Sequence, residues 1–388
     1  MDHTFDVIIT GCGPAGAFCA LNCASNGLKT ALVERKKTPG KPPRCAEGVT
    51  SLHLRKFFTP KPGYTRCIVD GMRLYAPNGK YVELSMPNGG LILNKELFIA
   101  DILKRGVAAG VKVFLDSKAV GLCTSGDYVT GIAIQNNNTL LKLGAKVVVG
   151  ADGVESRLGR WAGLNTTNRI KEIEPCFQYI VKGTSPAKSY IELFADNELA
   201  PGGYFWNFPH SQNHSNIGVV MRANKSRHRS AKEVLDIFLK TRFNSVKIIK
   251  GCAGAIPGGY TLKKITCNGL LLIGDAAHQV NPLTRAGILE AMRAGSIASE
   301  VITRAIISGD TCNRSLEIYK KNWDKLLGQR HKMLFKVKKA FTDFDNKILN
   351  QAIDSIKGTD NEEISIETII KPIILKNPSL LLAARHFI

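Results

Sequence analysis

An α/β fold with a second, strand-rich domain and a helical C-terminal region is predicted by three features of the 388-residue sequence. A glycine-rich turn joins a β-branched run to a helical pattern at the N-terminus. Alternating and aromatic-rich segments, the longest spanning residues 176–221, indicate a sheet of its own in the middle of the chain. Beyond Cys312 the apolar residues return to helical spacing among many lysines.

Taken in order, residues 5–10 form a short β-branched run that ends at Gly11, and residues 14–26 place Ala17, Phe18, Ala20, Leu21 and Ala24 at helical spacing. Gly27 stops that helix, and residues 29–34 read as a second strand, which completes a βαβ unit. Residues 35–50, rich in Pro, Gly and charge, read as a long loop. Alternation over 68–84 is followed by a helix over 96–109 and a strand over 111–115. A hairpin is expected from 128–134 and 140–143, then a separate buried strand over 146–150. A last buried strand, 270–274, leads into a helix over 286–307.

With 44% apolar and 22% charged residues the chain is an ordinary globular one. No apolar run reaches the length of a spanning helix, and the N-terminus lacks the basic and apolar regions of a signal peptide. Ten cysteines occur without a C-x-x-C pair, so a reduced, cytoplasmic protein without a metal site is expected. Cys19 and Cys23 are read as facing the sheet from the first helix, and His210 and His214 as lying in a polar loop. Lys and Arg exceed Asp and Glu by 53 to 32, a net charge of +21 that favours anionic partners. The basic clusters at 222–232 and 320–339 lack interleaved aromatics, so nucleic acid is not expected.

Gly11-Cys12-Gly13-Pro14-Ala15-Gly16 is a G-x-G-x-x-G between strand and helix. Gly11 allows the tight turn, Gly13 the approach of a pyrophosphate, and Gly16 close packing of helix on strand. The helix N-terminus offers N–H donors to the phosphates, and Glu34, about 20 residues on, is placed for a ribose hydroxyl. Gly150-Ala151-Asp152-Gly153 and Gly274-Asp275-Ala276-Ala277-His278 also follow strands and open helices. Asp275 is placed for a ribityl hydroxyl, and the positive end of the helix beginning near Ala286 suits the negative charge of a reduced flavin.

With these motifs the chain resembles the FAD-dependent aromatic hydroxylase-type flavoproteins over about residues 5–310, and within them the geranylgeranyl reductase family, including archaeal digeranylgeranylglycerophospholipid reductases. Two segments carry the narrower likeness. Lys41-Pro42-Pro43-Arg44-Cys45-Ala46-Glu47-Gly48-Val49 is similar to the family's loop beside the flavin. Pro201-Gly202-Gly203-Tyr204-Phe205-Trp206-Asn207-Phe208-Pro209 is similar to its P-x-x-Y-x-W-x-F-P signature. Period-2 alternation puts Tyr204, Trp206 and Phe208 on one strand face, which suits either an apolar ligand pocket or ordinary core; the resemblance implies that these three and Pro209 line a prenyl cavity.

The resemblance implies a Rossmann-type FAD-binding domain formed by residues 1–60, 91–165 and 256–310. A β-sheet substrate domain would take 61–90 and 166–255, and a helical C-terminal region 311–388. It assigns FAD contacts to Gly11, Gly13, Ala15, Gly16, Glu34, Arg35, Arg44, Cys45, Ala46, Gly48, Val120, Asp152, Gly274, Asp275, Gly287 and Ile288. The implied activity is saturation of isolated C=C bonds in geranylgeranyl chains. An unactivated alkene accepts a hydride only when its other carbon is protonated, so an acid is required. Cys45 is the first candidate and Glu47 the second. Electrons would come from NAD(P)H or a ferredoxin, and the positive charge would hold the protein on an anionic membrane surface. The tail at 378–388, with Leu380, Leu381 and Leu382, would add a shallow apolar contact or pack on the protein.

Two departures stand out. Leu283-Thr284-Arg285-Ala286-Gly287-Ile288 replaces a glycine-rich L-T-G-G-G-I-like stretch, so Arg285 either stabilises a reduced flavin or points outward. Asn94 stands where many relatives have an Arg, with Lys95 next to it in a segment read as extended. The rival readings are a flavin monooxygenase or halogenase, although the halogenase signature W-x-W-x-I-P is not matched, and a non-catalytic FAD- or lipid-binding protein.

Overall fold

The computed structural model describes residues 3–137, 139–184, 189–226, 229–243 and 245–356; the 378–388 tail lies outside them. The chain divides into two compact units, each assembled from three stretches.

The first unit comprises Met1–Pro43, Lys95–Asn168 and Gly259–His331. Its sheet runs Thr266–Cys267, Leu270–Leu272, Thr139–Gly150, His3–Thr10, Thr30–Val33, Lys112–Phe114. The last five are mutually parallel. Their side chains are buried on both faces at the centre, which is why these strands read as continuous apolar runs rather than alternating ones. Register brings Thr10 level with Val33 and Gly150, and Gly150 level with Leu272. The residues that follow, Gly11, Glu34, Ala151 and Ile273, therefore leave the sheet together at its carboxyl edge, where open α/β sheets bind ligands.

Residues 140–143 and 146–150 belong to one strand, Thr139–Gly150, rather than two. Its first half closes the hairpin with Tyr128–Asn136, and its second half pairs with His3–Thr10. A further strand, Ser117–Ser125, extends that hairpin. The long helix is Ile288–Ile307, with Gly287 as its N-cap, so it starts two residues later than expected. Its Gly295 meets the first helix, Pro14–Ser25: a Cβ there would stand 2.8 Å from the Ala15 carbonyl oxygen and 3.4 Å from the Cys19 Cβ. Cys19 thus lies against the Ile288–Ile307 helix. Lys95 opens the helix Lys95–Ala108 and does not lie in an extended segment.

The second unit comprises Arg44–Asn94, Arg169–Gly258 and the chain from Lys332. Its eight-stranded sheet runs Lys247–Pro257, Ile173–Lys182, His214–Val220, Tyr204–Ser211, Tyr190–Phe194, Thr65–Tyr75, Tyr81–Leu93, Gly48–Thr50. The Cys45 loop belongs here because Gly48–Thr50 pairs antiparallel with Gly90–Ile92 of the long hairpin. The helix Ala231–Arg242 covers one face of this sheet. Ser230 and Glu233 form a reciprocal cap at its start, and Val234, Leu235, Phe238 and Leu239 pack on Tyr179, Val181, Phe205, Ile217 and Val219. The Phe205 ring stacks on Phe238 at 4.0 Å. In the C-terminal region the described helices are Asn313–Trp323, Gln329–Thr342 and Asn346–Ile356, the first two joined by a π-helical turn at Asp324–Gly328.

Candidate functional site

In the first unit the glycine turn has the shape a pyrophosphate needs. At Gly11 (φ +104°) a Cβ would lie 2.3 Å from the Ala151 carbonyl oxygen, and at Gly16 one would lie 1.9 Å from that of Gly11. At Gly13 nothing lies within 4 Å, so the turn is closed on its inner side and open on its outer one. Gly13 is also the N-cap of the Pro14–Ser25 helix and supplies no side-chain cap. The first N–H groups of that helix are left for an anion.

Glu34 is buried at this edge. Its Oε2 accepts from the Cys12 N–H at 2.8 Å and its Oε1 from the Lys36 N–H at 2.9 Å. Both oxygens keep a second lone pair for a hydroxyl donor. Burial and the neighbouring Glu34 carboxylate hold the Cys12 thiol protonated. The Glu34 carbonyl oxygen accepts from the Ser117 N–H at 2.9 Å, which places the strand carrying the exposed Val120 beside it. Arg35 turns to Glu155, 3.1 Å away.

The downstream segments converge on the same edge. Gly274 (φ +65°) approaches Ala15 so closely that a Cβ would stand 2.9 Å from the Ala15 Cβ, and the Asp275 carboxylate reaches the Gly287 N-cap. Burial pushes the Asp275 carboxyl up from the usual range, while the Lys95 charge pulls it back. Ile288 is buried, so the backbone N–H is the group it can offer. Asp152 braces its own loop, since its Oδ2 accepts from the Arg157 and Leu158 N–H groups at 2.6 and 3.1 Å. Its Oδ1 is buried with no hydrogen-bond partner among the described residues.

Arg285 adopts φ +60°, the left-handed region a glycine would occupy without strain, and its Nη1 donates to the Leu283 carbonyl at 2.7 Å. Nothing local in the sequence signals the brace behind this turn. Gln279 Oε1 accepts from the Gly274 N–H at 2.8 Å and from the buried Tyr319 hydroxyl at 2.9 Å, and Ser156 Oγ donates to the Ala276 carbonyl at 2.9 Å. The open turn, the uncapped helix and the buried carboxylates fit a dinucleotide.

In the second unit the Cys45 loop and the aromatic strand lie together. Tyr204, Trp206 and Phe208 project to the face opposite Phe205. Trp206 Nε1 donates to Asn216 Oδ1 at 2.9 Å, and Asn216 Nδ2 donates to the Cys45 carbonyl oxygen at 3.2 Å. Phe208 lies against Gly48, where a Cβ would come within 2.7 Å of its ring. The Trp206 indole rests on Gly218, where a Cβ would be 2.2 Å from Cζ2. Tyr204 meets Trp206 edge-on at 6.4 Å, Pro209 is buried and Ala46 half-buried. Arg44 is exposed, beside Gly254.

Glu47 is 1% exposed, in a left-handed turn at φ +67°. Its Oε2 is 3.6 Å from Arg66 Nε and 3.6 Å from His210 Nε2. His210 and His214 lie on the strands Tyr204–Ser211 and His214–Val220 rather than in a loop, and folding brings the Glu47 carboxylate beside His210. Burial, with Arg66 and His214 nearby, pushes its imidazole down to about 4.

Comparison with known proteins now adds to this geometry. Residues 6–168 match a model of FAD-dependent oxidoreductases, and residues 172–256 match the geranylgeranyl reductase catalytic domain. The chain is 34% identical to a digeranylgeranylglycerophospholipid reductase of Methanothrix thermoacetophila, over 99% of both chains. It belongs to the digeranylgeranylglycerophospholipid reductase family. The reductase of Methanosarcina acetivorans is 35% identical over 98% of this chain and 95% of its own. A geranylgeranyl bacteriochlorophyll reductase-like protein from Thermoplasma acidophilum superposes with a TM-score of 0.95 at 28% identity over 100% of both chains. A flavin-dependent brominase, 18% identical over 99% of this chain and 94% of its own, superposes with a TM-score of 0.72 and shares the fold alone. The family is one of FAD-dependent oxidoreductases, and FAD is its cofactor.

Alanine at Gly218 is expected to displace the Trp206 indole and, through Asn216, loosen the Cys45 loop. Overpacking of this kind costs about 1–3 kcal/mol. A several-fold rise in KM for a prenylated substrate with FAD content unchanged is expected. Steady-state kinetics beside flavin absorbance would measure both, and an unaltered KM would remove the indole from substrate binding.

Proposed function

We propose that this protein saturates isolated C=C bonds of geranylgeranyl chains on membrane lipid precursors, using FAD. The observation that carries the reading is the junction of the Cys45 loop with the Tyr204, Trp206 and Phe208 face in one unit, through Asn216 and Gly48. Reduced FAD supplies a hydride when bound. Gly11, Gly13, Ala15 and Gly16 would receive its pyrophosphate and Glu34 a ribose hydroxyl, with Arg35 and Val120 flanking. Asp152, Gly274, Asp275, Gly287 and Ile288 would line the flavin side, and Arg44, Ala46 and Gly48 would border the ring. The apolar prenyl chain would lie along Tyr204, Trp206, Phe208 and Pro209. Cys45 would protonate the second alkene carbon.

The test is anaerobic incubation of the flavin-loaded protein with dithionite and a geranylgeranylated lipid. Product mass should rise by one hydrogen pair for each bond reduced. Oxygen-dependent hydroxylated or halogenated product, with no saturation, would put the monooxygenase or halogenase reading in its place. Dithionite leaves the natural donor open, and NAD(P)H and an acidic ferredoxin are compared by replacing it with each.

No helix among the described residues is long and apolar enough to cross a membrane. The net charge of +21 supports peripheral attachment to an anionic surface. Co-sedimentation with phosphatidylglycerol-containing vesicles should fall steeply as salt is raised, because surface attraction is screened beyond roughly 10 Å at 0.1 M. Equal sedimentation with neutral vesicles would remove the electrostatic part.

A further inference from the structure

We propose that Glu47 is a positioning residue for Cys45 rather than a second acid. Its buried side chain, held between Arg66 and His210, fixes the left-handed turn that aims the Glu47 N–H at the Cys45 sulfur. The inference rests on the reading of Cys45 as the proton donor and goes one step beyond it.

A left-handed backbone costs a side-chain-bearing residue about 1–2 kcal/mol, and such strain persists only where the surroundings impose it. Three contacts do so here. The Glu47 carbonyl oxygen accepts from the Leu93 N–H at 2.9 Å. The carboxylate Oε2 is 3.6 Å from Arg66 Nε on the Thr65–Tyr75 strand and 3.6 Å from His210 Nε2 on the Tyr204–Ser211 strand. The consequence is a hydrogen bond from the Glu47 N–H to Cys45 Sγ at 3.3 Å. Asn216 holds the other end of the loop through the Cys45 carbonyl.

That N–H has a use in the reaction. With FAD bound as the hydride source, Cys45 would give its proton to the other alkene carbon. The S–H bond breaks, a C–H bond forms, and the sulfur keeps the electron pair. A backbone N–H already directed at the sulfur stabilises the charge that appears there.

The test reads the thiol rather than turnover. Iodoacetamide alkylation of the holoenzyme, followed at the Cys45 peptide by mass spectrometry across about pH 6 to 10, gives the midpoint of thiolate formation. Among the described residues, Arg44 and Glu47 lie in the same loop, Arg66 and His210 flank Glu47, and His214 lies near His210. Glu47→Gln and Glu47→Ala both remove the carboxylate charge, so their difference reports the anchor alone.

The midpoint in Glu47→Ala should lie at least about half a unit above that in Glu47→Gln. Coincident midpoints would overturn the proposal. Glu47→Asp, which keeps the charge and shortens the reach, should likewise lie above the native protein and serves if the alanine variant does not fold; a native midpoint there would also overturn it. Loss of alkene reduction in Glu47→Gln at an unshifted midpoint would make the carboxyl group the acid. Native turnover in Cys45→Ala would instead remove the reading of Cys45 while leaving these midpoints to report on the turn, so the two failures are distinguishable.

Discussion

Cys45→Ala is expected to slow alkene saturation by about 10²–10⁴-fold, the range that a positioned general acid supplies, while dithionite still reduces the bound FAD. The size of the effect follows from the substrate. An isolated alkene has no carbonyl to take up charge as hydride arrives, so the proton cannot follow at leisure from solvent. An ordinary thiol is protonated near neutral pH yet can give up its proton, whereas a serine hydroxyl ionises far less readily. Cys45→Ser, similar in shape, should therefore share the loss.

Cys45 is partly exposed, its carbonyl is held by Asn216, and its sulfur receives the Glu47 N–H. A group fixed at both ends of its loop is well placed for proton transfer. Anaerobic single-turnover measurements would follow flavin reoxidation with and without substrate. Reoxidation by a prenylated lipid at the native rate in both variants would show that the proton comes from elsewhere.

What could be read from the sequence follows a physical division. The glycine turn is legible because its pattern is local: Gly16 packs on the Gly11 carbonyl within one βαβ unit and Glu34 stands at a fixed distance along it, although the Ala151 carbonyl that crowds Gly11 comes from a distant strand. The aromatic face was legible because alternation on a strand is local as well. The Thr139–Gly150 strand reads as two in sequence because one run serves two partners, and its alternating half looks unlike its buried half. The Ala231–Arg242 helix carries one local signal, the reciprocal cap of Ser230 and Glu233 three residues apart, in a stretch otherwise dominated by basic residues. Tyr319 behind Gln279, and Arg66 and His210 around Glu47, leave no such signal, since the chain brings them together only on folding.

The largest stability effect is expected at Lys338, on the Gln329–Thr342 helix, which reads in sequence as one more exposed lysine of a basic cluster. Its side chain is 5% exposed, with Nζ 3.0 Å from Oε1 of Glu174, itself 2% exposed on the Ile173–Lys182 strand. Nζ also donates to the Gly258 carbonyl. Gly258 leaves room for the pair, since a Cβ there would stand 2.9 Å from Glu174 Cγ. Removing one partner of a buried pair strands the other charge without water, so Lys338→Ala is expected to cost about 3–5 kcal/mol. The direct attraction is a smaller part of that figure, because most of it offsets the cost of taking both charges out of water. Lys338→Met with Glu174→Leu, which removes both charges and keeps the volume, should therefore recover most of the loss. Urea unfolding of the three proteins (native, Lys338→Ala and the double variant) at fixed FAD concentration separates the two terms. A double variant as unstable as Lys338→Ala would mean that the direct pairing of Nζ with Glu174 and the Gly258 carbonyl, rather than avoidance of a stranded carboxylate, holds this helix to the sheet.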